Sequence, residues 1–122
     1  MGFSWGGRTV YSYGLNHVER FAGFMPIGAA ANSFSGKEAW FENAKDQPFY
    51  LIHGSKDSPK SRFTRFLNAL ERNEACVNSK LLEGIGHTVD FENRTQIYTD
   101  AFNWLDRQVC GNSSTPNSNK NR

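Results

Sequence analysis

The 122-residue chain is long enough for one modest domain with a buried core and too short for two. Its 14 basic and 12 acidic side chains leave a formal charge of +2 and are scattered along the chain, so nothing in the charge pattern favours nucleic acid or a membrane surface as a partner. No apolar run reaches the ~18 residues that a membrane span needs.

The first half of the chain predicts a strand end, a helix and a second strand. Residues 1–3 are interpreted as the last step of a strand whose body would lie upstream. Residues 7–19 repeat apolar side chains at spacings of three and four, which predicts a helix with one apolar face. Residues 21–31 are nearly continuously apolar, as in a strand covered on both faces, although Pro26 must end that strand early or mark a bulge. Residues 31–36 are small and polar and predict a loop.

The second half alternates the same patterns. A short helix over 37–45 precedes the clearest strand, residues 49–53, which Gly54 stops. Phe63, Phe66, Leu67 and Leu70 then predict an amphipathic helix, residues 77–82 a half-polar edge strand, and residues 95–109 a last helix. This order predicts an α/β fold, a parallel sheet of about three strands with flanking helices, over residues 1–109. Residues 110–122 hold no large apolar side chain and predict a disordered polar tail.

Three candidate catalytic side chains each follow a predicted strand end. Ser4 lies between Gly2 and Gly6, where a strand would pass into a helix. Asp57 follows the predicted strand 49–53, and His87 follows the predicted strand 77–82. Because parallel strands end on one rim of a sheet, these residues are expected to meet there. Ser4 Oγ would attack a carbonyl, His87 would take and return the proton, and Asp57 would hold the imidazole.

Weaker alternatives remain at each of these positions. Asp57 could instead serve only a turn or a helix cap. The other acids are poorer candidates, because Asp46 precedes its strand and Asp90 follows His87. His53 is interpreted as a structural histidine at its strand end. The backbone N–H of Trp5, at the start of the predicted helix, would supply one oxyanion-hole donor.

The three motifs together resemble a known superfamily. Gly-Phe-Ser-Trp-Gly-Gly at residues 2–7, His-Gly-Ser-Lys-Asp at 53–57 and Gly-Ile-Gly-His at 84–87 resemble, in this order, the nucleophile elbow, acid loop and histidine loop of α/β-hydrolases, most closely the esterase and dienelactone-hydrolase branch. The resemblance covers residues 1–109 and corresponds to the C-terminal half of that fold. It implies a serine hydrolase that cleaves small-molecule carboxylic esters through an acyl-enzyme, with no cofactor and no metal.

The chain departs from that superfamily in what it lacks. The first strands, with the loop that supplies a second oxyanion-hole donor, have no counterpart here, so the sequence predicts a truncated form with an incomplete oxyanion hole. Two other functions stay open. One is a non-catalytic remnant that pairs with another chain through an exposed sheet edge at residues 21–31. The other is a peptidase or thioesterase on the same scaffold.

Compartment is left open by the sequence. Cys76 precedes the last predicted strand and Cys110 ends the last predicted helix, so both are expected at the rim opposite the catalytic residues, where a disulfide is predicted. Asn93-Arg94-Thr95 and Asn112-Ser113-Ser114 match the glycosylation tripeptide, which is a weak indication of a secreted protein.

Overall fold

The secondary structure alternates strands and helices along the chain. The computed structural model describes residues 1–29, 38–57 and 61–107. Its elements are β1 (Gly2–Phe3), α1 (Trp5–Leu15), β2 (Pro26–Ile27), β3 (Pro48–Gly54), α2 (Ser61–Arg72), β4 (Cys76–Leu82) and α3 (Arg94–Arg107), with 3₁₀ helices at Val18–Arg20 and Glu38–Ala44. This order confirms the predicted α/β class.

The strands form one parallel sheet in chain order. The described residues contribute four strands, β1-β2-β3-β4, and every neighbouring pair is parallel. The additional strand relative to the expected three is β1, the two-residue strand end that the sequence predicts before Ser4. Phe3 lies opposite Ile27, and Ile27 opposite Ile52, so the carboxyl ends of these strands reach the same rim.

The second strand is much shorter than its apolar sequence predicts. Phe24 and Gly28 donate backbone N–H groups to Pro48 and Ile52 of β3, at 2.9 and 2.8 Å. Residue 26 would make the bond between these two, but proline has no N–H to donate. The ladder is therefore interrupted, and β2 is limited to Pro26–Ile27 instead of the predicted residues 21–31.

Helices cover both faces of the sheet, with β3 buried along its whole length. Successive residues of a strand point to opposite faces. On one face Phe49 and Leu51 pack in a cluster with side chains of α1 and α2; on the other, Tyr50 and Ile52 pack with side chains of α3. The sheet is thus the middle layer of three. None of the helices in the described ranges is long and apolar enough to cross a membrane.

The structure bears on two further predictions, the open sheet edge at residues 21–31 and the disulfide of Cys76. The open edge predicted for the strand over residues 21–31 is not found at Pro26–Ile27, because β1 pairs with β2 there, and among the described strands β1 is itself at the edge of the sheet. Cys76 is disulfide-bonded. Its predicted partner Cys110, the glycosylation tripeptide at Asn112, the polar tail and the predicted loop at 31–36 lie outside the described residues.

Candidate active site

Ser4 occupies a strained turn between β1 and α1. Its backbone has φ 59° and ψ −117°, a conformation that a residue with a side chain rarely adopts. The Ser4 N–H donates to the Ile27 carbonyl at 2.9 Å, which fixes the turn to the end of β2. The turn leads directly from β1 into α1 and leaves Ser4 partly exposed at the carboxyl end of the strand.

The crowding that requires glycine in this elbow lies at Gly2 and Gly7. A Cβ on Gly2 would lie 2.5 Å from the Gly6 carbonyl carbon, and one on Gly7 would lie 2.9 Å from Ala29 Cα. A Cβ on Gly6 would meet nothing within 4 Å. Of the two glycines that flank Ser4 in the G-x-S-x-G pattern, Gly2 is therefore sterically required and Gly6 is not, since the close approach behind the helix start is made at Gly7.

The hydroxyl of Ser4 is directed to the candidate base. Serine at a helix start commonly caps the helix by accepting a backbone N–H. Ser4 precedes α1 but makes no such side-chain bond. Instead its Oγ lies 2.8 Å from Nε2 of His87, although 83 residues separate them in the chain.

Asp57 completes a hydrogen-bonded chain with His87. Asp57 Oδ2 lies 2.7 Å from His87 Nδ1, and the side chain of Asp57 is only 11% exposed, against 41% for His87. An ionised carboxylate can only accept hydrogen bonds, so Nδ1 donates to Asp57. Nε2 of the neutral ring is then the acceptor for the Ser4 hydroxyl. The structure thus brings together the three side chains predicted to meet.

The loop that carries His87 is tied to the loop that carries Asp57. The Gly84 N–H donates to Ser55 Oγ at 2.7 Å, and the Lys56 N–H donates to the Ile85 carbonyl at 2.9 Å. On the opposite side, the ring of Phe3 stacks on the His87 imidazole, with centroids 4.7 Å apart and planes inclined by 29°. These contacts restrict the imidazole to the plane in which it reaches both partners.

The acids judged poorer from sequence occupy other positions. Asp90 pairs with Arg94 at 2.8 Å on the surface. Asp46 lies in the turn before β3, with φ 63° and its N–H bonded to the Glu74 carbonyl. In the described ranges, no three His, Cys, Asp or Glu side chains are grouped so as to hold a metal ion.

The start of α1 offers a positive environment beside Ser4. Trp5 is the first residue of the helix, and the first N–H groups of a helix have no partner within it. The first turn of α1 holds no acidic side chain that would offset the positive helix end. The Trp5 side chain itself is 62% exposed next to Ser4. The donor role of the Trp5 N–H stays a prediction.

Gly28 is a site residue that the sequence reasoning missed. It follows β2 with φ +51°, and a Cβ there would lie 3.1 Å from Asp57 Oδ2 and 3.3 Å from His87 Nδ1. The backbone therefore passes directly against the Asp57–His87 hydrogen bond. Gly28 directly follows a strand, as the predicted catalytic residues follow theirs, so its position after β2 is the signal that could have identified it. The sequence did not reveal where β2 ends, because residues 21–31 are nearly continuously apolar.

Comparisons with known proteins give structural neighbours and no sequence relatives. No protein-family model matches the chain, and no curated protein matches it in sequence. A predicted CIB-like hydrolase from Thermoplasma acidophilum superposes with a TM-score of 0.68 and 20% identity, over 87% of this chain and 49% of that one. SOBER1 from Arabidopsis thaliana superposes with a TM-score of 0.69 and 21% identity, over 85% and 51%.

A third similar structure is an uncharacterized protein from Bacillus cereus, with a TM-score of 0.78 and 18% identity over 86% of this chain and 35% of that one. The chain thus spans about half the length of two of these proteins and about a third of the length of the other. At such identities the likeness shows the fold. The chain has the α/β-hydrolase fold in part, as its motifs predict.

Proposed function

We propose that this chain carries the catalytic residues of a serine hydrolase that cleaves carboxylic esters through an acyl-enzyme. The observation that carries the proposal is the continuous chain of hydrogen bonds from Ser4 Oγ through His87 to Asp57, at 2.8 and 2.7 Å. A packing role does not require a hydroxyl, a partly exposed imidazole and a buried carboxylate joined by hydrogen bonds in this order. A Ser-His-Asp triad uses these three groups as nucleophile, base and orienting acid.

The proposed reaction proceeds in two halves. Ser4 Oγ attacks the ester carbonyl carbon while His87 Nε2 takes the hydroxyl proton, and Asp57 stabilises the imidazolium that forms. His87 then gives this proton to the departing alkoxide, which leaves as the alcohol. In the second half His87 takes a proton from water, the resulting hydroxide attacks the acyl group on Ser4, and the carboxylic acid leaves as the proton returns to Ser4.

The oxyanion of each tetrahedral intermediate would accept a hydrogen bond from the Trp5 N–H. The resemblance to esterases implies a second donor on a loop that has no counterpart in this chain. Loss of one oxyanion-hole donor lowers kcat by about 100- to 1,000-fold. We therefore propose that an incomplete oxyanion hole makes both acylation of Ser4 and its deacylation slow.

Hydrolysis of p-nitrophenyl acetate tests the proposal. Wild-type protein should release nitrophenol above the rate of buffer, and Ser4→Ala and His87→Ala should reduce this release to background. Ser12→Ala is the matched control, because Ser12 lies two turns further along α1 and should leave the rate unchanged. A folded wild-type protein without activity, or equal rates in wild type and Ser4→Ala, would contradict the proposal.

The peptidase and thioesterase alternatives share these steps and differ in the leaving group. Offering the same acyl group as an oxygen ester, a thioester and an anilide separates them. We expect the oxygen ester to react fastest, and a preference for the thioester or anilide after correction for intrinsic reactivity would favour the corresponding alternative.

A further inference from the structure

A second histidine, this one buried, lies close to the acid. His53 is the penultimate residue of β3 and only 5% exposed. Its Nε2 lies 3.4 Å from the carbonyl oxygen of Asp57 and 3.8 Å from Asp57 Oδ2. The same Oδ2 accepts the hydrogen bond from His87. Two imidazole rings therefore lie within 4 Å of one carboxylate oxygen, and the proposed reaction uses one of them.

The surroundings of His53 specify one protonation state. Burial lowers the pKa of His53, and the charge of Asp57 offsets this only in part, so the ring is neutral at neutral pH. A neutral ring carries one hydrogen. Nε2 faces two oxygen atoms that can only accept, so a bare Nε2 would repel both. The hydrogen therefore lies on Nε2, which makes a long hydrogen bond to the Asp57 carbonyl.

The plane of the ring is fixed independently of this bond. Phe63 at the start of α2 stacks on His53, with centroids 5.4 Å apart and planes inclined by 25°. A ring held in this way presents its Nε2–H at a constant position. The ring can therefore hold the loop after β3 in place through its hydrogen bond to the Asp57 carbonyl, because its own position does not depend on that loop.

We propose that His53 is a positioning residue, whose Nε2–H holds the Asp57 backbone so that Oδ2 points at His87 Nδ1. The inference rests on the proposed function, because positioning matters only if the Asp57–His87 pair serves catalysis. The competing explanation is that the ring only fills space beside Phe63. The two explanations differ in what they require: the first needs an N–H at the Nε2 position, and the second needs a flat ring.

Three variants separate these requirements. His53→Phe keeps a flat ring and removes the N–H. His53→Gln removes the ring but carries an amide N–H near the position of Nε2, whereas His53→Asn carries it near the position of Nδ1. Positioning predicts that Gln rescues function better than Phe and Asn, while space filling predicts that Phe is best. Should the Phe variant fail to fold, the Gln and Asn pair still decides.

Imidazole NMR on ¹⁵N-labelled protein provides a readout that needs no turnover. Long-range ¹H–¹⁵N correlations should show His53 as the neutral Nε2–H tautomer, and the His87 Nδ1–H should give a downfield signal protected from water exchange. In His53→Phe this signal should move upfield or be lost to exchange, and in His53→Gln it should persist. An Nδ1–H tautomer of His53, or an unchanged His87 signal in His53→Phe, would overturn the inference.

Ester hydrolysis gives the second readout. We expect kcat to fall about tenfold or more in His53→Phe with KM unchanged, since misplacing a catalytic group by ~1 Å can cost about 100-fold. His53→Gln should stay within about threefold of wild type on the same argument. Equal kcat values in the three variants would contradict positioning. Inactive wild-type protein would contradict the proposed function instead, and the NMR result would still decide the position of the His53 hydrogen.

Discussion

Replacing Gly54 with alanine should displace the loop that carries His87. Gly54 ends β3, and a Cβ there would lie 2.6 Å from the Gly86 carbonyl oxygen and 2.8 Å from the Ile85 carbonyl carbon, with the Ile85 oxygen nearer still. Comfortable carbon–oxygen contacts are about 3.3 Å or longer. These obstacles are backbone atoms, so no side-chain rotation can relieve the clash and the loop itself must move.

The energetic consequence follows from what holds the loop. Moving Ile85 away weakens the hydrogen bond from the Lys56 N–H to its carbonyl, now 2.9 Å, at a cost of about 1 kcal/mol. Overpacking strain adds roughly 1–3 kcal/mol. The free energy of unfolding should therefore fall by roughly 2–4 kcal/mol, which lowers Tm by at least ~8 °C in a domain of this size.

Gly86→Ala is the matched control on the same loop. A Cβ on Gly86 would meet nothing within 4 Å. Replacing such a glycine with alanine restricts the unfolded chain and typically stabilises a protein by about 0.4–1 kcal/mol. Thermal unfolding followed by circular dichroism should show a lower Tm for Gly54→Ala and an unchanged or slightly higher one for Gly86→Ala. Equal Tm values for the two variants would refute the reasoning.

Three further changes test separate parts of the structure. Gly28→Ala places a side chain at φ +51° against Asp57; the backbone strain should destabilise by about 1–2 kcal/mol, and ester hydrolysis at a temperature well below Tm should fall, so full activity would contradict the close approach. Burial raises the pKa of Tyr11 in the folded protein well above the ordinary value of 10.0, which applies to the unfolded chain. The resulting stabilisation is complete below pH 10 and is progressively lost as the pH rises above 10, because the unfolded chain then loses the Tyr11 proton that the folded protein keeps. The free energy of unfolding, measured with urea, should therefore fall less between pH 10 and 11 in Tyr11→Phe than in wild type. An equal fall in the two proteins would contradict this. Tyr98→Phe removes the O–H that donates to the Val89 carbonyl at 3.2 Å and should cost about 0.5–1.5 kcal/mol in urea unfolding, so a more stable variant would contradict the contribution of this bond.

The candidate site was predictable because its residues follow one simple rule. Ser4 comes directly after β1, and Asp57 and His87 lie in the loops that follow β3 and β4; a parallel sheet brings such positions to one rim. Knowledge of side-chain directions was unnecessary, since the order of strands and helices was enough to bring distant residues together. The roles assigned to the three side chains stay predictions until activity is measured.

Features that depend on register were harder to predict. Strand β2 ends after Ile27, where Gly28 has a left-handed φ of 51°. The late start of β2 follows from the direction in which residue 26 would donate, toward β3 and not toward β1, and a sequence pattern does not contain that direction. The same holds for the glycines of the elbow, where crowding falls on Gly7 instead of Gly6 because Ala29 lies behind the helix start. The contacts of His53 with Phe63 and Asp57, from which its proposed positioning role is inferred, likewise depend on the fold and have no signature in the sequence.

Site mapping of a fluorophosphonate adduct tests most directly whether the Ser4 hydroxyl is activated by His87. The account predicts that mass spectrometry of digested wild-type protein finds the adduct on Ser4, that Ser4→Ala acquires none, and that folded His87→Ala reacts far more slowly. An unlabelled, folded wild-type protein, or labelling of Ser4 at the same rate in His87→Ala, would contradict it.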